Sequence, residues 1–276
     1  MKTSKTHRSS PLPFMGQKRR FLKKFTEVLV NNSPNATYVD LFGGSGLLAH
    51  TVKQFYPNAK VVYNDYDNFN QRLENIDNTN ALLSDIRILI ADLPKDKAIP
   101  KDRRKPILDR IHQEEKSVGY VDFVTISSNL LFAMNYAHDL ETLSRQTFYN
   151  VVRDSPYNAD GYLDGVDRVS LDYKALFDQY KDLDDVVFLV DPPYLSTETY
   201  VYKSSYWKLG DYLDVLNVLN VPHYYYFTSN KSQIIELCSW METKVPGVNP
   251  FGGSVIYSHV TNASQTSKYT DIMIVK

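Results

Sequence analysis

The run Val186-Val187-Phe188-Leu189-Val190-Asp191-Pro192-Pro193-Tyr194 decides the fold of this chain. Five consecutive apolar, β-prone residues predict a strand buried on both faces, as in a parallel sheet. The strand closes on a carboxylate, two prolines and an aromatic ring. Ligands of open α/β sheets bind just beyond the carboxyl ends of the strands, so these four side chains fall where a site is expected. Proline fixes φ and carries no N–H, which leaves carbonyls and the acid to accept hydrogen bonds from a substrate amino group. The ring could stack on a nucleobase. Proline after a strand is also common punctuation, so the rest of the chain has to decide.

Working outward, Thr37 to Leu41 reads as a short strand whose end, Asp40-Leu41-Phe42-Gly43-Gly44-Ser45-Gly46, turns into a helix running to about Phe55. Glycines there let a backbone approach a ligand at a helix N-terminus. No Gly-Lys-Ser/Thr follows, so this is no Walker sequence, and it is short of a full dinucleotide fingerprint. Lys60 to Asn64 predicts the next strand, closing on Asp65 and Tyr66. An acid at that place commonly accepts from ribose hydroxyls, and acids at strand ends also serve as plain turn formers. Strand, glycine turn, helix, strand and acid within some 30 residues open a nucleotide-binding α/β fold.

Composition sets bounds. The 276 residues suit one large domain or a core with one insertion, and 43% hydrophobic with 23% charged residues is ordinary for a soluble protein. A lone cysteine, Cys238, excludes a disulfide framework and a CxxC metal site, and fits a reducing cytoplasm. No stretch approaches the ~20 apolar residues of a membrane span. His112 and His138 are isolated, so no metal site is expected. The net charge of −1 speaks against a strongly basic nucleic-acid binder, but the distribution is uneven. Between Met1 and Thr26 stand Lys2, Lys5, Arg8, Lys18, Arg19, Arg20, Lys23 and Lys24 with no acid, and Lys101, Arg103, Arg104 and Lys105 form a second cluster. Each is open to two readings, phosphate contact or a solvated tail and helix face.

Residues 1–12 read as a basic arm and Arg19 to Asn31 as an amphipathic helix. Between about Asp67 and Tyr157 strand signals thin out and helical periodicity takes over, as in Ala81 to Leu93 and Ile107 to Lys116; residues 156–170 read as loop. Strands return at 186–190, His223 to Thr228, Ser254 to Val260 and Asp271 to Val275, separated by helices at Asp211 to Leu219 and Lys231 to Met241. The expected domains are 1–69 with 166–276 for catalysis and 70–165 as a helical insertion.

The glycine turn, the Asp65 strand end and the DPPY strand end together resemble the DNA adenine methyltransferases. Their order, with about 145 residues between the first motif and DPPY, is similar to the Dam-like, D12-class alpha group. Pro13-Phe14-Met15-Gly16-Gln17-Lys18 resembles that group's W-A-G-G-K segment, with Gln17 in place of a glycine. Asp172-Tyr173 is similar to its Asp-Phe pair, Phe227-Thr228-Ser229-Asn230 to its later strand, and Thr261 to Lys276 to its closing hairpin. The resemblance implies an α/β, Rossmann-like S-adenosylmethionine-dependent methyltransferase fold with an inserted, mostly helical target-recognition region. It implies S-adenosylmethionine as cofactor, held by Phe14, Lys18, Asp40, Phe42, Gly43, Gly44, Gly46, Asp65, Tyr66, Asp172, Tyr173 and Asp191. Lys18 would meet its carboxylate, Phe42 and the glycine turn its methionine part, Asp65 the ribose and Asp172 the adenine amino group. Double-stranded DNA is the implied partner, with the chain acting as a monomer, alone or beside a cognate restriction endonuclease.

Such chemistry needs no metal and no covalent enzyme intermediate. The adenine amino nitrogen is a poor nucleophile because its lone pair is delocalised into the ring. The Asp191 carboxylate and Pro192 carbonyl could accept its two N–H bonds, with Pro193 stiffening the turn, so that catalysis comes from positioning and matched dipoles. An ordinary Asp pKa of ~3.9 makes Asp191 a feeble base, which favours the acceptor role. The adenine must leave the duplex at a cost of a few kcal/mol, and stacking on Tyr194 returns roughly 1–3 kcal/mol. Tyr200, Tyr202, Tyr206 and Trp207 form a candidate lid, or ordinary packing. Asn129, Asn135, Arg145, Gln146, Asn150 and Arg153 are candidate base or phosphate contacts in the insertion. The insertion lacks the Dam-type signature, so no GATC specificity is implied. Two alternatives stand: a methyltransferase acting on RNA adenine or another acceptor, and a catalytically idle cofactor-binding DNA-recognition protein.

Overall fold

The computed structural model describes residues 7–132, 135–194, 207–262 and 268–276. They divide into two compact units, Gln17–Asp67 with Leu163–Lys276, and Met1–Gly16 with Asn68–Tyr162.

The first unit is built on a seven-stranded sheet of order β3-β2-β1-β4-β5-β7-β6. Its strands are β1 (Thr37–Asp40), β2 (Lys60–Asn64), β3 (Asp167–Val169), β4 (Val186–Val190), β5 (Tyr224–Ser229), β6 (Val255–Asn262) and β7 (Lys268–Val275). The first five run parallel, while β7 lies antiparallel to both β5 and β6. Side chains alternate across β4 as the period of two demands. Val186, Phe188 and Val190 enter one apolar layer with Leu176, Val215, Ile234 and Cys238, and Val187 and Leu189 enter the other with Phe25, Leu29, Ala49 and Val52. Burial on both faces explains the uninterrupted apolar run. Cys238 is buried and free.

Helices α1 (Leu22–Leu29) and α2 (Leu47–Phe55) cover the second of these layers. Helices α8 (Tyr173–Tyr180), α9 (Leu209–Leu216) and α10 (Ile234–Glu242) cover the first. Residues 156–170 were expected to be loop throughout. In the structure Asp167–Val169 adds an edge strand, pairing Val62↔Asp167 to Asn64↔Val169.

The other unit is helical: α3 (Phe69–Glu74), α4 (Ile76–Leu89), α5 (Lys101–Val118), α6 (Phe123–Ser128) and α7 (Leu140–Ser144). Ile86, Ile107, Ile111, Ile126 and Phe148 are fully buried in it. A buried ion pair ties α3 to the start of α6, with Arg72 Nε on Asp122 at 3.0 Å while Asp122 also caps α6 through the Thr125 amide. Arg72 Nη2 donates to the Pro13 carbonyl at 2.8 Å, and Phe14 meets Phe69 edge-on at 5.6 Å. Those contacts explain why the segment up to Gly16 groups with this unit, although residues 1–69 were assigned together above.

Candidate active site

β1 and β4 are neighbours, and the strand order reverses between them. An open sheet has its ligand crevice at such a switch point, beyond the carboxyl ends. The Leu41 amide donates to the Leu189 carbonyl at 3.0 Å, so the Asp40 and Asp191 ends emerge side by side.

Asp191 is 17% exposed and pairs with the largely buried Lys18 at 2.6 Å. Burial raises the Asp191 pKa, the Lys18 ammonium pulls it back by charge and hydrogen bond, and Asp271 adds a smaller upward push. Lys18 Nζ also lies 5.3 Å from the centre of the Tyr194 ring. Lys18 thus reaches both the acid and the ring of the DPPY segment, contacts that sequence reasoning did not anticipate.

Asp40 ends β1 fully buried, and neither of its oxygens has a hydrogen-bond partner of ordinary geometry among the described residues. Burial pushes its pKa up to about 8, repulsion from Asp191 adds to the rise, and the Ala49 and Phe42 amides and Lys18 only partly oppose it. A buried carboxylate so weakly hydrogen-bonded is costly unless a cation joins it. Directly after it comes the glycine turn. Gly46 caps α2 with φ +74, and a Cβ there would fall 2.8 Å from Leu163. A Cβ on Gly43 would fall 2.2 Å from the Tyr63 ring, so the turn must be glycine for packing alone.

Asp65, beyond β2, is buried; the Tyr63 hydroxyl donates to it at 3.2 Å and Arg168 Nη1 lies 3.4 Å away. Tyr66 next to it is exposed. Asn64, which sequence reasoning missed, ties these strand ends together. Its Nδ2 donates to the Leu41 and Leu171 carbonyls at 3.0 and 2.9 Å, and its Oδ1 accepts from the Leu171 amide. A lone amide at the last position of an apolar strand was the available signal.

Phe42, Tyr173 and Trp207 form an aromatic wall, with Phe42 and Tyr173 centred 4.8 Å apart and Trp207 6.0 Å from each. The buried Tyr173 hydroxyl has no hydrogen-bond partner among the described residues, and burial raises its pKa. Asp172 is exposed and caps α8, accepting from the Lys174 amide at 2.8 Å. Of the predicted lid, Trp207 stands in this wall, whereas Tyr200, Tyr202 and Tyr206 lie outside the described residues.

Phe14, expected beside the cofactor, belongs to the helical unit. There Asn129 and Asn150 are buried and committed to the interior. Asn129 Nδ2 donates to the Thr125 carbonyl and Tyr157 hydroxyl, and Asn150 Nδ2 to the Leu93 carbonyl. Arg153 stacks its guanidinium 4.0 Å over Tyr157. Asn135 and Arg145 are exposed, Arg145 in an ion pair with Glu141, and Gln146 is half-buried.

A parallel five-stranded sheet closed by a reversed β6–β7 hairpin, with a glycine turn after β1 and an acid-tipped β4 at the switch point, is a Rossmann-like methyltransferase fold. The chain belongs to the D12 class N6 adenine-specific DNA methyltransferase family, whose sequence profile matches residues 14–235. It is also 38% identical over 285 residues to a protein of Haemophilus influenzae strain Rd whose name assigns it to the methyltransferases without an acceptor. That alignment covers 100% of this chain and 95% of the relative. Among the described residues no helix is long and apolar enough to cross a membrane.

Proposed function

We propose that the chain is a site-specific DNA methyltransferase that moves a methyl group from S-adenosylmethionine to the N6 amino group of a flipped-out adenine. The observation that carries this is Asp191 at the carboxyl end of β4, on the switch point, followed by Pro192, Pro193 and Tyr194 in a member of this family.

S-adenosylmethionine supplies, when bound, a methyl group activated on a sulfonium. The residues present fit it: Asp40 is a buried acceptor with no hydrogen bond of ordinary geometry among the described residues, suited to a cation, and the Phe42–Tyr173–Trp207 wall suits a planar ring. Phe42, Gly43, Gly44 and Gly46 would line the methionine part, Asp65 would accept from the ribose, and Tyr173 with Asp172 would border the adenine. Tyr66 and Phe14 complete the proposed set.

Asp191 and the Pro192 carbonyl accept the two amino hydrogens of the target base, which localises the nitrogen lone pair toward the methyl. Tyr194 stacks on the base. Lys18 leaves Asp191 as the amino group arrives, and its charge is free to meet the cofactor carboxylate. The raised pKa of Asp191 improves it as an eventual proton acceptor, yet the reaction needs it ionised. The sheet unit is proposed to be the catalytic domain and the helical insertion the target reader, with exposed Asn135 and Arg145 as its base or phosphate contacts and Arg153 beside them. Asn129 and Asn150 act there by holding the scaffold.

Incubation with labelled S-adenosylmethionine and unmethylated genomic DNA, beside RNA and an Asp191→Ala control, tests this. N6-methyladenine at a short recurring motif, absent with the variant, is expected. Label in RNA alone, or cofactor binding without any transfer, would overturn the DNA reading.

A further inference from the structure

The basic run that begins at Lys18 splits in two. A turn in which the Phe21 amide donates to the Lys18 carbonyl at 2.8 Å sends Lys18 inward onto Asp191 and leaves Arg19 and Arg20 exposed. The division continues along α1. Phe21 and Phe25 pack edge-on against Phe227 and Tyr225 of β5, while Lys23 and Lys24 stay outside. Lys24 is engaged by Glu27 at 2.9 Å and lies 5.0 Å over the Tyr257 ring. Among the described residues Arg19, Arg20 and Lys23 make no salt bridge, and Lys23 reaches Glu27 only through its charge, behind the closer Lys24. On β6 the exposed His259 stands beside the same turn, its ring 6.5 Å from that of Phe21.

We propose that Arg19, Arg20 and Lys23 form a phosphate-binding stripe that grips the DNA backbone next to the extruded nucleotide. This rests on the DNA reading above and names a surface for it. Adjacent exposed cations repel one another, and a protein surface ordinarily interleaves acids among them. Here the first acid is Glu27, already held by Lys24. A polyanion supplies the missing countercharge, and the guanidinium fork matches phosphate oxygens. Position fixes which phosphates. The stripe starts one residue after Lys18, whose side chain touches the catalytic acid, so a nucleotide whose base reaches Asp191 brings its own phosphodiesters to Arg19 and Arg20. Phosphate contacts of this kind set register and affinity and carry no sequence information.

The test is fluorescence anisotropy of a short labelled DNA duplex against KCl concentration, comparing the unaltered chain with an Arg19→Gln/Arg20→Gln/Lys23→Gln variant. Each lost phosphate contact lowers the slope of log K against log salt by about 0.9, so the variant's slope should be shallower by about 2–3. Its affinity for S-adenosylmethionine and its melting temperature should match those of the unaltered chain. Equal slopes in both proteins would overturn the stripe and leave the DNA reading standing. Absence of salt-dependent DNA binding by the unaltered chain would overturn both.

Discussion

The start of α1 and the first two turns of α5 carry basic runs of similar density, and folding treats them in opposite ways. On α5, Arg103 makes a bidentate pair with Asp92 at 2.7 and 2.8 Å and Lys105 pairs with Asp109 at 2.6 Å. Arg104 turns its guanidinium to the carbonyls of Ile99 and Gln146. Two of the four cations there are thus paired with carboxylates, and Arg104 is turned to backbone carbonyls. At α1 one cation is drawn inward to Asp191, and Arg19, Arg20 and Lys23 remain outside without a salt bridge among the described residues. A run of lysines and arginines in a sequence is therefore a statement about composition; only the pairing decides whether the charge is available to a partner.

The largest blow to this contrast comes at its inner end. Asp191→Ala removes the group toward which Lys18 points, and turnover should fall at least ~10³-fold while the far-ultraviolet circular dichroism stays unchanged. Turnover within tenfold of the unaltered chain would mean that the inward cation serves packing only. Next in size is Lys18→Met, which leaves Asp191 largely buried without its countercharge. The carboxylate pKa then climbs further, so kcat should drop roughly 10²-fold near neutral pH and partly recover as pH rises and Asp191 ionises. A pH profile parallel to that of the unaltered enzyme would break the link between the basic run and the acid.

Asp40 measures how far the same field reaches inside, since Lys18 is the weakest of the influences restraining its pKa. Its folded value of about 8 lies above the ~3.9 of an unfolded aspartate, so the folded state holds the extra proton between these values. Stability from this group is complete below ~4 and is lost as pH rises toward about 8. Asp40→Asn removes that dependence. It should raise the melting temperature by several degrees near pH 9 and change it little near pH 4, while weakening cofactor binding. Equal shifts at both pH values would show Asp40 ionised throughout.

The parts legible in the sequence were those written in local pattern. β2 and β4 were read to the residue because short β-prone apolar stretches ending in an acid stand out from their surroundings, and the turn after β1 because its glycines are closely spaced, a spacing the contacts at Gly43 and Gly46 explain. β3 was missed since Asp167-Arg168-Val169 is short, two-thirds charged and stabilised only by its place beside β2. Helix α8 escaped for the same reason, its buried positions Tyr173 and Leu176 being too few to show a period. In the site, the acid at β4 was legible and its partner was not: Lys18 and Asp191 are distant in the chain and meet only through the sheet. Asn129 and Asn150 show the converse, because a polar side chain that contacts bases and one that knits an interior are spelled alike.

The smallest expected effect sharpens the comparison most. Arg103→Gln with Lys105→Gln removes two formal charges from α5, one fewer than the α1 variant. If charge count governed DNA binding, the two variants would weaken it comparably. Since Arg103 and Lys105 already face carboxylates, removing them frees Asp92 and Asp109, and few condensed counterions are involved on either side of the binding equilibrium. The salt slope should change by less than about 1, and the melting temperature by about a degree or less, as for exposed pairs in general. A slope change as large as that of the α1 variant would mean that these ion pairs open for DNA, and pairing in the free protein would then be no guide to which cations a polyanion can recruit.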